Sequence, residues 1–157
     1  MKKILLTALM LISLTGLAHS AIVVPDVGAT AILTDFFVSG ADVKLHLFCT
    51  DVTPADTDVV GTYTACAGGG YAVKTLTAAS WTVSTVSNIV QAAYAIQVFT
   101  FTGSLTTNGT IYGYYVTDSA GTTLLFSEKA AATFTPANNG DTYSVTPTIQ
   151  LSKGTPN

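Results

Sequence analysis

The stretch Val43-Lys-Leu-His-Leu-Phe-Cys49 decides the fold class of this chain. Every second residue from Val43 to Cys49 is apolar, and Lys44, His46 and Phe48 lie between them. A period of two places successive side chains on opposite faces of a β-strand. We therefore predict a half-buried strand here, with its apolar face toward a core.

Strand patterns separated by turn signals continue to the end of the chain. Strong signals are the glycines 68–70, Asn108-Gly109, the turn 118–121 and Asn139-Gly140. Pro147 removes a backbone donor from the last strand, which we predict to lie at an edge or to be kinked there. Further strands are predicted at 71–77, 81–86, 94–102, 110–117, 122–129 and after Gly140.

One helix is predicted before these strands. Asp26 can cap it, and Gly40 can end it. The apolar residues at helical spacing are Ala29, Ile32, Leu33, Phe36 and Phe37. The expected fold is all-β: a single antiparallel β-sandwich, Ig-like or jelly-roll, of about seven or eight strands with one short N-terminal helix.

The first twenty residues read as a secretory signal peptide. Lys2 and Lys3 precede the apolar run 4–17, and Ala18-His19-Ser20 forms a small-x-small cleavage site. The run is about 14 residues, short of the roughly 20 that a membrane-spanning helix needs. We predict cleavage after Ser20, a single domain at 21–157, and a mature chain that is secreted, periplasmic or extracellular, with no membrane partner.

The mature chain is poor in titratable groups. It contains one histidine (His46), one glutamate (Glu128), four lysines, eight aspartates and no arginine, hence a net charge near −5. Without clustered basic residues we expect no nucleic-acid partner and no binding to anionic lipid. We also expect no cofactor and no enzymatic activity, because few groups are present for a catalytic centre.

His46 and Glu128 are the residues that a hydrolase would have to use. His46 falls on the polar face of its strand, where an exposed, non-catalytic histidine is the expected interpretation. A serine triad would have to recruit His46, and the chain contains no Gly-x-Ser-x-Gly motif. Glu128 has no obvious second carboxylate for glycosidase chemistry.

Two cysteines, Cys49 and Cys66, have sixteen residues between them. Export to an oxidising compartment favours a disulfide. Two buried thiols and an intermolecular pair are the alternatives. Neither cysteine has a further Cys or His at the spacing of a metal-thiolate site.

An acidic loop and a tyrosine-rich strand are candidate contact sites. Asp51, Asp56 and Asp58 form a weak calcium candidate, and a solvated turn is the expected interpretation. Alternation predicts Tyr112 and Tyr114 on one face, with Tyr115 and Ile111 on the other. If this pair is exposed, it could contact a sugar or a neighbouring subunit. The alternative is that the pair covers the core of its own sheet. Gly113 between them can allow close backbone approach or a bulge.

Several short motifs, in order along the mature chain, resemble a family of small tailed-bacteriophage virion structural proteins. They are Val24-Pro-Asp-Val-Gly28, Val52-Thr-Pro-Ala-Asp-Thr-Asp58, Gly68-Gly-Gly-Tyr-Ala-Val-Lys-Thr-Leu76, Ala79-Ser-Trp-Thr82, Tyr112-Gly-Tyr-Tyr115, Thr123-Leu-Leu125 and Phe134-Thr-Pro-Ala-Asn-Asn-Gly-Asp141. The resemblance implies a non-enzymatic, β-rich particle component, located in the virion if phage-encoded. This chain departs from that pattern by its signal peptide and its cysteine pair.

The expected function is that of a structural subunit of an extracellular or phage-like assembly. Its partners would be copies of itself or other subunits of a particle or filament. The predicted assembly arm is Ala21, Ile22, Val23, Val24 and Pro25, which could add as a strand to a neighbour's sheet. The alternatives are a secreted binding module for a glycan or another surface ligand, using Tyr112 and Tyr114 with the acidic loop 51–58, and, least favoured, a hydrolase.

Overall fold

The computed structural model describes residues 24–151, and it begins with the predicted helix. Helix α1 spans Asp26–Leu33 and continues into a π-helical turn at Thr34–Val38. Pro25, in an extended conformation, occupies the N-cap position, so the predicted cap at Asp26 is wrong by one residue. A Cβ at Gly40 would overlap the carbonyl oxygen of Phe36, which explains the glycine just past the end.

One face of the helical segment is buried, and the other carries exposed apolar side chains. Ala29, Leu33 and Phe37 recur every four residues and belong to the core. Ile32 and Phe36 lie one position earlier in each turn and are 53% and 47% exposed. Helical spacing alone therefore does not identify which of the five apolar positions are buried.

Nine strands follow within the described residues. They are β1 (Val43–Phe48), β2 (Lys74–Leu76), β3 (Thr82–Val86), β4 (Ile89–Ala93), β5 (Gln97–Thr100), β6 (Ile111–Thr117), β7 (Leu124–Phe134), β8 (Thr142–Val145) and β9 (Thr148–Leu151). Short 3₁₀ turns occupy Val60–Thr62 and Ala78–Ser80. Of the described residues, 41% are in strands and 15% are helical, so the chain is mostly β with one α-helix.

The strands form three antiparallel sheets that are not closed on themselves. Their orders are β2-β1-β6-β7, β3-β4-β9 and β5-β8. A single buried cluster joins all three sheets and the helix, with Leu33, Leu45, Val90, Phe99 and Val145 among its members. Burial of this apolar surface is the main contribution to the stability of the fold.

Two features of the topology differ from the sequence prediction. Strand β4 was not predicted, although Ser87-Asn88, both with positive φ, form the two-residue turn that precedes it. The Asn108-Gly109 turn is present, also with positive φ, but it does not close a hairpin, since β5 pairs with β8 and β6 pairs with β1 and β7. A local turn signal cannot specify which strand becomes the partner.

The expected kink at Pro147 is confirmed, and it explains how one strand becomes two. Residues before it form β8 against β5, and residues after it form β9 against β4. The Pro147 carbonyl accepts a hydrogen bond from Tyr94 N at 2.9 Å. A proline at this point lets the chain cross from one sheet to the next without leaving a ladder donor unpaired.

Candidate functional site

A disulfide between Cys49 and Cys66 closes a loop over one face of the four-stranded sheet. The Cα atoms of the two residues are 5.1 Å apart, and both side chains are buried. Cys49 N–H donates to Thr64 O at 2.9 Å, and Cys66 N–H donates to Leu47 O at 3.0 Å. The intramolecular disulfide is confirmed, so free thiols and an intermolecular pair do not describe this structure. Residues 50–65 are called the cap loop below.

The cap loop is attached to β7 at two points. The Tyr63 hydroxyl is 2.8 Å from Ser127 Oγ and also donates to Asp58 Oδ2 at 2.6 Å. Lys129 Nζ is 2.7 Å from Asp51 Oδ1. The cap loop follows β1 in the chain, and these polar contacts connect it to β7, the strand at the far edge of the same sheet.

An aromatic ladder lies beneath the cap loop, on what we call the outer face of the sheet. Its rings are His46, Tyr115, Tyr63 and Phe48, with centroids of successive rings 4.6, 5.2 and 5.0 Å apart. A Cβ at Gly113 would overlap Glu128 O and lie 2.7 Å from the Phe48 ring. The predicted close approach at Gly113 is therefore confirmed, and it makes room for the ladder.

His46 is partly buried in this ladder, and the expected exposed position is wrong. Its ring stacks on Tyr115, and Nε2 lies 3.2 Å from Thr117 Oγ1. Burial, together with the charge of Lys44, lowers the pKa of His46. These contacts fix the position of the ring, and they do not pair His46 with a carboxylate as a serine triad requires.

The three aspartates of the calcium candidate do not converge. Asp51 pairs with Lys129, whereas Asp58 accepts bonds from Tyr63 and from Ala55 N. The Tyr63 hydroxyl and then the Ala55 amide lower the pKa of Asp58. Asp56 is exposed. Across residues 24–151, no group of three or more His, Cys, Asp or Glu is placed to hold a metal ion.

Two further aspartates organise turns. Asp118 Oδ1 accepts from Thr122 N and Thr123 N at 2.7 and 3.0 Å, at the β6–β7 turn. Asp141 Oδ2 accepts from Asn138 N and Ala137 N, both at 2.8 Å, before β8. Backbone hydrogen bonds lower the pKa of both carboxyls. Much of the acidic charge of the chain therefore has a local structural role.

The predicted tyrosine pair does not share a face. The register of β6 on β7 shifts between Ile111 and Gly113, which breaks the alternation. Tyr112 packs with the outer-face cluster, whereas Tyr114 is 5% exposed in the main core. Tyr114 OH donates to Glu128 Oε2 at 2.5 Å; burial and then this bond raise the pKa of Tyr114. Neither tyrosine is exposed, so the exposed alternative is wrong, and the alternative in which the pair covers its own sheet holds for Tyr114 in the core.

Two surface grooves flank the β5–β8 sheet. Among the described ladders β5 and β8 pair only with each other, β7 pairs only with β6, and β2 pairs only with β1. The β7–β8 groove, about 380 Å³, is lined by residues 130–132 and 143–146 with Tyr114 and Glu128. The β2–β5 groove, about 300 Å³, is lined by residues 70–74 and 98–100.

Sequence reasoning missed the β7–β8 groove because it ended β7 too early. Ala130, Ala131 and Ala132 have low strand propensity, so the expected strand stopped at Lys129. The strand in fact continues to Phe134, and four residues, 130–133, lie opposite Tyr112 alone. The weak signal was the continued lack of charge and of turn residues up to Phe134.

Exposed apolar side chains are spread over the helix and strand surfaces. Val27 is 81% exposed on α1, and Ile96 is 61% exposed beside β5. Other examples are Val24, Ile32, Phe36, Val59, Val73, Val86 and Val98. Of the predicted arm, Val24 and Pro25 are described, while residues 21–23 and the predicted signal peptide lie outside the described residues.

Between residues 24 and 151, no helix has the length and apolar character needed to cross a membrane.

The comparisons with known proteins add no relative. No protein-family model, curated protein or solved structure matches the chain. The resemblance to phage virion proteins therefore stays a prediction.

Proposed function

We propose that the mature chain is a non-enzymatic structural subunit that self-associates through strand edges and apolar faces, in an extracellular or phage-like assembly. This proposal rests on two strand edges, one on β7 and one on β8. Neither edge has a partner strand in the described ladders, and both strands line the same groove. In this proposal the four-stranded sheet is one layer of a β-sandwich, and the helix with the other two sheets is the second.

Unpaired strand edges favour association because their N–H and C=O groups can extend a ladder into another chain. Monomeric proteins commonly block such edges with lysine, proline or an inward-pointing charge. The exposed run Ala131-Ala132-Thr133 of β7 has none of these, and the bulge against β6 is the one edge-protecting feature that it carries. An edge of this kind is suited to accept another strand.

The disulfide supports an oxidising location, and the contacts of His46 support a non-enzymatic role. Disulfides persist mainly in secreted, periplasmic and surface proteins, which agrees with the predicted signal peptide. His46 and Glu128 each bond to a hydroxyl of their own sheet, on Thr117 and Tyr114. The glycan-binding alternative relied on an exposed tyrosine pair, and the burial of Tyr114 removes its main argument.

The test is the oligomeric state of the exported protein. The full chain would be expressed with export, its N terminus identified by mass spectrometry, and its molar mass measured by light scattering over a range of concentrations. We expect a multiple of the protomer mass and regular particles, rings or filaments in electron micrographs. A protein that stays monomeric at every concentration would contradict the proposal.

A matched variant connects assembly to the predicted arm. Deletion of residues 21–25 should abolish assembly, while circular dichroism should show the same folded monomer. An oligomer that is unchanged by this deletion would exclude the arm, and association would then have to use another surface.

A further inference from the structure

We propose that the β7–β8 groove receives the N-terminal arm Ala21–Pro25 of a second copy as an added β-strand. This inference rests on the self-association proposed above and names the two surfaces that meet. An extended peptide that adds to a free edge gains main-chain hydrogen bonds, and side-chain pockets supply specificity.

The acceptor side has unused backbone groups. Four residues of β7, 130–133, lie opposite a single residue of β6, Tyr112. They therefore form a bulge in the β6–β7 ladder, and the other edge of β7, which faces away from β6, pairs with no strand among the described ladders. The alanine side chains leave this edge accessible to another backbone, and β8 forms the opposite wall with residues 143–146.

The donor side is an apolar segment whose described end is already extended. Pro25 has φ −67° and ψ 158°, and Val24 is 41% exposed. Ile22, Val23 and Val24 are β-branched residues, which favour strands. No residue of α1 lines the β7–β8 groove, and α1 packs against β3 and β4. In this proposal the arm in the groove comes from a second copy, and the mixing experiment below separates that arrangement from an arm that fills the groove of its own copy.

Charge distinguishes this groove from the β2–β5 groove. Glu128 is the charged residue of the β7–β8 lining, whereas Lys74 is that of the β2–β5 lining. Cleavage after Ser20 would place a new α-ammonium group on Ala21. That group complements Glu128, whose Oε2 accepts from Tyr114, and it is repelled by Lys74.

The C-terminal segment is the less suitable occupant. Residues 152–157 are Ser-Lys-Gly-Thr-Pro-Asn, in which Thr155 is the one residue type that favours strands. The arm combines strand-forming residues, which suit the free edge of β7, with a terminal positive charge, which complements Glu128.

The decisive experiment mixes two defective variants. Deletion of residues 21–25 removes the donor and keeps the groove, whereas Ala131→Pro blocks the edge and keeps the arm. Each variant alone should be monomeric, and an equimolar mixture should form a one-to-one heterodimer. Absence of heterodimer would overturn the inference, because an arm that fills the groove of its own copy, or lies elsewhere, cannot complement in this way.

A peptide titration keeps the test valid if Ala131→Pro fails to fold. Fluorescently labelled Ala-Ile-Val-Val-Pro amide should bind the arm-deleted protein and should bind about two- to fivefold more weakly when its amine is acetylated, the effect of one exposed ion pair. Glu128→Gln should give the same loss, and Lys74→Gln in the other groove should not. Equal binding in all four cases would overturn the pairing with Glu128.

The outcomes separate this inference from the proposed function. If wild type is monomeric at every concentration, self-association itself fails. If wild type is oligomeric and remains so with Ala131→Pro, the subunit role stands and the β7–β8 groove is excluded. An N terminus other than Ala21 in the exported protein would also overturn the proposed charge pairing.

Discussion

Both faces of the central strands β1 and β6 are covered, but by different means. The inner face carries aliphatic side chains such as Leu45, Leu47 and Val116, covered by the helix and the other sheets. The outer face carries the aromatic ladder, covered by the cap loop that the disulfide closes. The inner face is therefore buried by the whole fold, whereas the outer face depends on one short segment and its anchors.

The largest expected effect is on the inner face. Leu45→Ala removes buried methyl groups from a fully buried site, so we expect the free energy of unfolding to fall by about 2–5 kcal/mol in urea titrations. Val98→Ala, at a position 44% exposed on β5, is the matched control. It should change the free energy of unfolding by less than about 0.5 kcal/mol. Equal effects of the two variants would show that Leu45 is not a core residue.

Opening the disulfide should affect the outer face selectively. With Cys49→Ala and Cys66→Ala together, we expect a loss of about 3 kcal/mol in the chain-entropy model for a loop of this size. Amide exchange should rise first in the cap loop and remain slow in β4 and β9. Reduction of the wild-type protein is the control and should reproduce the pattern. A uniform rise over all three sheets would mean that the faces are not independent.

Tyr63→Phe is expected to have a smaller effect on the same face. The ring stays in the ladder, but the hydroxyl bonds to Asp58 and Ser127 are lost, at a cost of about 1 kcal/mol. Tyr112→Phe is the control, because it removes a hydroxyl from the same face and breaks neither bond. If both variants cost the same amount, the anchoring of the cap loop does not depend on Tyr63.

The smallest effect is a pH dependence near neutrality that comes from His46 on the outer face. The pKa of His46 lies below its ordinary 6.5 because burial and the Lys44 charge disfavour the imidazolium. Below pH 6.5 the unfolded chain binds more protons at this site than the folded one, so stability falls as pH decreases from that value toward the folded pKa. His46→Phe keeps an aromatic ring and should flatten the slope between pH 5 and 7, as thermal unfolding would measure. If the slope is unchanged in His46→Phe, groups other than His46 cause the pH dependence of stability.

The inner face could be predicted from sequence, and most of the outer face could not. Alternation identified Val43, Leu45, Leu47 and Cys49 as buried positions, and all are buried. The same alternation predicted an exposed His46, because periodicity shows which residues share a face and cannot show that a loop covers the second face. Tyr112 and Tyr114 were placed together because Gly113 indicates that a bulge can form between them but does not show that one does form.

The sequence by itself determined the β-rich class, the short helix, the turns and the kink at Pro147, because each follows from local backbone preferences and short-range periodicity. Only the tertiary structure decided the division into three sheets, the pairing of β5 with β8 and the two facing edges. Strand partners are chosen by the packing of side chains far apart in sequence, and local preferences do not contain that information. The groove on which the proposed assembly depends belongs to this second category.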